Sequence, residues 1–218
     1  MITFPQNLLE GYKAFATNRL PTEQSRYREL SVKGQSPEVM VIGCCDSRVS
    51  PEAIFDVGPG ELFVVRNIAN LVPVYQPDGN AHGVSAALEY AVTVLKVKHI
   101  VVLGHAQCGG IRAFVDKIEP LTPGDFIGKW MQMFIKPGEV VEQRDHETMA
   151  QFVERIEKAA VFRSLENLMT FPFVRRAVEN GQMQLHGAYF GVAEGSLFVL
   201  EKAAKEFLSA REMAQASE

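Results

Sequence analysis

Two short segments of the chain combine thiol, imidazole, carboxylate and guanidinium groups. The first is residues 44–48 (CCDSR) and the second is residues 105–108 (HAQC). Zinc prefers thiolate and imidazole ligands, and three protein ligands with one open position are typical of a catalytic rather than a structural zinc. A cysteine of the first segment, together with His105 and Cys108, therefore predicts a metal site.

The elements before these segments explain how they could meet. Residues 38–43 (EVMVIG) and 98–104 (KHIVVLG) are short apolar runs of the kind that forms buried parallel strands. Neighbouring parallel strands lie about 4.8 Å apart, and their carboxyl ends share one edge of the sheet. The two segments can thus converge on one ion.

The two adjacent cysteines leave an alternative open. Successive side chains of an extended chain face opposite ways, so only one of Cys44 and Cys45 can point at the metal. Position alone does not choose between them. For any single cysteine, burial as a small apolar side chain is the more common role. The strand ends that precede both segments favour the metal.

Asp46 and Arg48 are two residues apart and share a face if the chain is extended. A carboxylate beside a guanidinium stays ionised, and the pair has a fixed orientation. Next to a zinc ion, Asp46 could accept the hydrogen bond of a bound hydroxide and orient it. The alternative is a structural ion pair at a strand end.

The remaining patterns predict a single α/β domain, residues 1–218, with a mostly parallel central sheet of about five strands flanked by helices. Residues 61–66 predict a strand, and residues 83–95 predict an amphipathic helix. The other predictions are a helical region, a hairpin and a terminal helix, over residues 125–180, 184–200 and 203–214.

The N-terminus carries apolar residues at helical spacing over residues 7–20. We expect residues 1–30 to form an N-terminal helical arm. It could pack on its own domain or on a partner subunit, and the pattern fits both.

The composition excludes several classes of protein. The chain has 218 residues, of which 47% are hydrophobic, and its net charge of −4 offers no basic surface for nucleic acid. It contains no apolar run long enough to span a membrane. Three cysteines are few and odd in number, which favours metal or catalytic use in a reducing compartment. We therefore expect a cytoplasmic protein.

The motif C-x-D-S-R followed by H-x-x-C-G-G resembles the signature of beta-class carbonic anhydrases. Residues 34–37 (GQSP), 59–61 (PGE), 64–70 (VVRNIAN) and 87–91 (ALEYA) resemble the plant-type branch. The resemblance implies that Cys44, His105 and Cys108 hold one zinc ion per chain, which leaves Cys45 a free thiol. It also implies reversible hydration of carbon dioxide to bicarbonate and a proton, by a zinc-hydroxide nucleophile that the dyad of Asp46 and Arg48 orients.

The resemblance further implies a substrate site at a subunit boundary. Gln35 would reach the substrate of the neighbouring subunit through its side-chain amide. Phe63, Ile68 and Tyr90 would form an apolar wall, and Gly109 would place a backbone N–H near the metal. The implied assembly is a homodimer or tetramer with the active site at the dimer interface, where Gln35, Phe63 and Tyr90 serve the neighbour.

Other functions compete with this interpretation. The same fold and metal could hydrolyse carbon disulfide or carbonyl sulfide. A cysteine-dependent phosphatase needs C-x5-R, whereas Cys44 and Arg48 give C-x3-R, and a structural zinc site needs a fourth ligand that no nearby residue offers. A dinucleotide-binding protein is disfavoured because no G-x-G-x-x-G follows a strand.

Overall fold

A six-stranded sheet forms the centre of the protein. The computed structural model describes residues 3–136 and 139–215. The strands are β1 (Val39–Cys44), β2 (Leu62–Asn67), β3 (His99–His105), β4 (Gln184–Gly191), β5 (Ser196–Glu201) and β6 (Glu206–Ser209). Their spatial order is β2-β1-β3-β4-β5-β6. Strands β1–β4 are parallel to one another, β5 is antiparallel to β4, and β6 is antiparallel to β5. This confirms the predicted α/β fold, with one strand more than expected.

Helices surround this sheet. They are α1 (Gln6–Ala14), α2 (Leu20–Lys33), α3 (Pro51–Ile54), α4 (Gly83–Glu89), α5 (Gly109–Val115), α6 (Phe126–Gln132), α7 (Met149–Leu168), α8 (Pro172–Glu179) and α9 (Ala210–Gln215). Phe15–Arg19 and Tyr90–Leu95 are π-helical turns, and Ile68–Asn70 is a 3-10 turn. Over residues 3–136 and 139–215, no helix is long and apolar enough to cross a membrane.

The core lies on both faces of the sheet because side chains alternate along each strand. On β1, Met40 and Ile42 belong to one buried cluster and Val41 to another. The long helix α7 packs directly on β3 and β4. Its Val161 approaches so closely that a Cβ at Gly104 would lie 2.6 Å from the valine Cγ2. Gly104, immediately before His105, therefore fixes how near α7 can come.

The prediction of a helix over residues 203–214 was wrong for its first half. Residues 206–209 form β6, which pairs with β5, and only Ala210–Gln215 is helical. The strand places Phe207 against the rings of Phe162 and Tyr189, with centroids 5.8 and 6.0 Å away. This packing and the pairing with an open sheet edge outweigh the local helix preference of an alanine-rich segment.

The predicted helical region over residues 125–180 is interrupted. Residues 133–136 and 139–148 are turns and irregular chain, and residues 137–138 lie outside the described ranges. Helix α7 begins at Met149 because Thr148 forms a capping box with Gln151. Such a cap satisfies backbone N–H groups that a helix cannot pair itself, so it marks the start of the helix sharply.

The N-terminal helices continue beyond the predicted arm, as far as Lys33, and neither α1 nor α2 has a buried residue. Their contacts with the rest of the chain include a hydrogen bond from Arg26 to the Pro59 carbonyl and Leu30 against Gly60. Large apolar side chains are exposed along them and just before them, namely Phe4, Leu8, Leu9, Tyr12, Tyr27 and Val32. The domain limits, residues 1–218 with an arm over 1–30, stay a prediction.

Candidate metal centre

Cys44, His105 and Cys108 meet at the carboxyl edge of the sheet. Cys44 ends β1 and His105 ends the neighbouring β3, while Cys108 immediately precedes α5. The two sulfur atoms are 3.9 Å apart, and the three potential ligand atoms all lie within 4.8 Å of one another. The three residues are 1–4% exposed, whereas Cys45 is exposed. The structure thus brings together the three predicted ligands and directs Cys45 elsewhere.

The donor atoms fit a zinc ion. Zinc–sulfur bonds of about 2.3 Å in a tetrahedron place two sulfurs about 3.8 Å apart, close to the separation found here. His105 Nδ1 lies 2.8 Å from the Ala106 carbonyl, which can only accept, so Nδ1 carries the proton. The lone pair is then on Nε2, which is buried with no hydrogen-bond partner among the described residues. A metal ion would supply the missing partner.

The surroundings of the two thiols favour a thiolate at Cys44 and a protonated thiol at Cys108. A hydrogen bond from Cys108, together with backbone N–H groups of Asp46 and Ala69, lowers the pKa of Cys44 below its usual value, and burial opposes this effect. The proton stays with Cys108, whose pKa is raised by that same hydrogen bond and by burial. Metal binding requires both thiolates, so it would release this proton.

Left-handed backbone turns lie beside the ligands. Gln107, between His105 and Cys108, has a φ of 57°, and Ala69 and Asn70 have φ values of 60° and 48°. Such conformations are unfavourable for residues with a Cβ and persist only where the surroundings hold them. At the second turn, the Asn67 side chain supplies that support through hydrogen bonds to the backbone of Leu71.

Asp46 and Arg48 form the predicted pair beside the metal centre. Arg48 donates to both carboxylate oxygens, from Nε at 2.9 Å and from Nη2 at 2.7 Å. The side-chain hydrogen bonds from Arg48, opposed by partial burial, hold the pKa of Asp46 well below its usual range. Asp46 Oδ2 lies 4.0 Å from His105 Nε2, so an ionised carboxylate borders the space between the ligands. Arg48 also donates to the Gln107 carbonyl and thereby ties the two ligand segments together.

Arg66 was not among the predicted site residues. It lies on β2 and donates to the backbone carbonyls of Cys44, Asp46 and Val49, at 2.8, 2.7 and 2.9 Å. It therefore holds the loop that carries Cys44 and Asp46. The sequence shows an arginine at a strand end, but the partner carbonyls depend on how that loop folds back.

Glu157 and Tyr189 were also missed. Glu157 is 3% exposed, and its carboxylate accepts from the Cys108 N–H at 2.8 Å and from the Tyr189 hydroxyl at 2.7 Å. Burial raises the pKa of Glu157 despite these hydrogen bonds. One signal was available in the sequence. Glu157 lies at helical spacing among Val153, Ile156, Ala160 and Val161, where an acidic residue needs a partner.

The predicted substrate residues fall into two groups. Gly109 begins α5 directly after Cys108, and Ile68 follows Asn67, which pairs with Cys44. Phe63 pairs with Met40, four residues before Cys44, so it lies about 13 Å away along the strand. Its ring is 5.9 Å from that of Tyr90.

The second group also includes Gln35, which is exposed just beyond α2. Gln35 precedes β1 and Cys44 ends it, so Gln35 lies toward the other end of this strand from the ligand group. Phe63, and Tyr90 through its contact with Phe63, also lie away from the ligands of their own chain.

Comparisons with known proteins agree with this fold. A family model described as carbonic anhydrase matches residues 39–197. Beta carbonic anhydrase 3 of Arabidopsis thaliana is 37% identical over 200 residues, which cover 90% of this chain and 76% of that protein. The structure of the beta-carbonic anhydrase CcaA aligns with a TM-score of 0.85 at 27% identity, over 94% of this chain and 98% of that one. A tetrameric beta-carbonic anhydrase of Sordaria macrospora aligns with a TM-score of 0.76 at 31% identity, over 89% and 95% of the two chains.

These matches establish the family. The chain belongs to the carbonic anhydrases, in their beta class. The resemblance stated from the sequence is confirmed, and so is the enzyme class, a carbonic anhydrase and hence a lyase.

Replacing Arg48 with alanine should destabilise the metal-free protein near neutral pH, because Asp46 loses its charge-assisted hydrogen bonds. The loss should be modest because Arg48 is 44% exposed, but larger than the loss from breaking an exposed surface ion pair. Asp46 has a lower pKa in the folded than in the unfolded protein. The difference should therefore be complete above about pH 4 and shrink as the pH falls through the folded pKa. Urea denaturation between about pH 7 and pH 3 measures it.

The matched control is Arg112→Ala, which breaks the exposed pair with Asp116 one helical turn away. Exposed pairs of this kind contribute about 0.5 kcal/mol or less. If Arg48→Ala were no more destabilising than this control, or equally destabilising at both pH extremes, the Asp46–Arg48 pair would not have the role described.

Proposed function

We propose that this carbonic anhydrase hydrates carbon dioxide reversibly to bicarbonate and a proton, using one zinc ion per chain held by Cys44, His105 and Cys108. The observation that carries the proposal is the buried triangle of two sulfurs and one imidazole nitrogen. Its His105 Nε2 has no hydrogen-bond partner among the described residues. Three ligands leave a fourth position of the tetrahedron open for a solvent molecule.

A zinc ion in this site would acidify a bound water, and so provide a nucleophile near neutral pH. The residues around it determine the orientation of that nucleophile. Asp46 is ionised and can only accept a hydrogen bond, so it selects a proton-bearing nucleophile and fixes its direction. Arg48 holds the Asp46 carboxylate from two sides and keeps it from rotating.

The substrate would approach past small and apolar groups. Carbon dioxide is apolar, which suits the partly exposed side chain of Ile68. A Cβ at Gly109 would meet nothing within 4 Å, so there is open space in front of this residue. The first N–H groups of a helix have no intrahelical partner, so the Gly109 N–H suits an oxygen that becomes negative during the reaction.

The remaining substrate residues support an active site between subunits. Gln35, Phe63 and Tyr90 lie away from the ligand group of their own chain, and α1 and α2 expose apolar side chains that a partner could cover. The relative from Sordaria macrospora is tetrameric. We therefore propose a homodimer or a tetramer with the active site at the dimer interface, in which Gln35, Phe63 and Tyr90 serve the neighbouring subunit.

The thiols also favour a reducing compartment such as the cytoplasm. Cys44 and Cys108 are free and 3.9 Å apart, and a disulfide between them would remove two metal ligands at once.

Zinc analysis and turnover, measured on one preparation, test the proposal. Native protein should hold about one zinc per chain and hydrate carbon dioxide, whereas Cys108→Ser should lose most of both because a serine hydroxyl is a poor zinc ligand. Cys45→Ser is the control, because it replaces an exposed thiol next to a ligand and should change neither property.

Two results would contradict the zinc proposal. One is native protein without bound divalent metal, and the other is full turnover by Cys108→Ser. Release of sulfide from carbon disulfide or carbonyl sulfide, without hydration of carbon dioxide, would instead support the alternative hydrolase on the same fold.

A mixed dimer of Asp46→Ala and Gln35→Ala subunits tests the shared active site. Asp46→Ala alone should keep zinc and lose most activity. If Gln35 acts across the boundary, the mixed dimer contains one complete site and should show about half of the native turnover. Differently tagged subunits allow its purification, and carbon dioxide hydration is the readout.

The opposite arrangement gives a different result. If Gln35 serves its own subunit, each site of the mixed dimer lacks one of the two residues, and the activity should be no higher than the mean of the two parent variants.

A further inference from the structure

We propose that Glu157, supported by Tyr189, is a positioning residue that fixes the backbone of Cys108 and thereby the separation between Cys108 and the other metal ligands. This inference rests on the proposed metal site. It assigns a role to a buried carboxylate that does not reach the ligand atoms themselves.

The hydrogen bonds of Glu157 show what it holds. Burying a carboxylate is unfavourable unless its oxygens are satisfied, and neither partner of Glu157, the Cys108 N–H or the Tyr189 hydroxyl, carries a positive charge. Without Glu157, the buried amide of Cys108 would lack this acceptor. Burial of the Glu157 carboxylate is therefore unfavourable in itself. Its effect is to hold the backbone amide of Cys108, one of the proposed metal ligands.

The Cys108 amide lies next to a backbone turn of unfavourable conformation. Cys108 follows Gln107, whose φ of 57° is unfavourable, and its own carbonyl accepts the first hydrogen bond of α5 from Arg112. The backbone of Cys108 is thus held from α5 on one side and from Glu157 on the other. If the second contact is lost, the turn can relax toward an ordinary conformation and move the sulfur.

Helix α7 contacts the chain next to both His105 and Cys108. Val161, one turn after Glu157 and on the same face, packs against Gly104 immediately before His105. Tyr189 lies opposite Gly104 on the adjacent strand β4. The same face of α7 therefore contacts the strand that carries His105 and the turn that carries Cys108. The position of this helix thus sets the distance between these two residues.

Zinc affinity, measured on the holoenzyme by competition with a chelator, tests the positioning role. Glu157→Leu removes both acceptors and should weaken zinc binding by about 10–100-fold. Glu157→Gln keeps the shape and one acceptor oxygen for the Cys108 N–H, so it should lose much less. Tyr189→Phe leaves Glu157 with one partner and should have an intermediate effect.

The cobalt-substituted proteins add a readout that a purely structural role would not change. A displaced sulfur should alter the visible absorption of Co²⁺ in Glu157→Leu and leave it nearly native in Glu157→Gln. Glu154→Gln is the control, because Glu154 lies on the same helix and pairs with Lys158 at its exposed side. It should keep native zinc affinity and a native spectrum.

The outcomes separate this inference from the proposal on which it rests. Native protein that binds no zinc refutes both. The inference alone fails if native protein binds zinc and Glu157→Leu binds it within about threefold. It also fails if Glu157→Gln is as impaired as Glu157→Leu, since charge and not geometry would then matter. Should Glu157→Leu not fold, unchanged affinity and spectra in both Tyr189→Phe and Glu157→Gln overturn the inference.

Discussion

The structure depends on two thiol groups and one imidazole nitrogen that are held within a few ångströms of one another and almost fully buried. Such a group is unfavourable by itself, because His105 Nε2 is buried without a hydrogen-bond partner in the described part of the chain, and because burial and the neighbouring Cys44 keep Cys108 protonated. A zinc ion would remove both problems at once. The fold around the site is best understood as the frame that keeps these three donors together.

This frame consists of hydrogen bonds between side chains and backbone groups near the ligands. These hydrogen bonds do not involve the sulfur and nitrogen atoms that would bind the metal. Arg66 donates hydrogen bonds to three backbone carbonyls at the end of β1 and in the loop after it. The Glu157 carboxylate accepts a hydrogen bond from the Cys108 N–H. The two ligand segments are joined by Arg48, which reaches from Asp46 to the Gln107 carbonyl. Each contact secures a segment whose backbone could otherwise relax, as at Gln107. The Asp46–Arg48 pair thus belongs to the same frame.

The ligand segments were predictable because their chemistry and their position at strand ends are both local properties of the sequence. Residue types alone did not decide between Cys44 and Cys45. The resemblance to the family did so, and the structure buries the first and exposes the second. The spacing of α7 marks Glu157 as an acidic residue at a core position, but its partners were not predictable because they depend on how α7 lies against β3. Strand β6 was missed because pairing with β5 and the packing of Phe207 override a local helix preference.

X-ray absorption at the zinc edge of native protein tests the central claim most directly. The account predicts two sulfur ligands at about 2.3 Å and two nitrogen or oxygen ligands at about 2.0–2.1 Å, one of which is the His105 nitrogen. A first shell of four sulfurs would make the metal structural. A first shell without sulfur would place it outside the triangle of Cys44, His105 and Cys108, and either result would contradict the account.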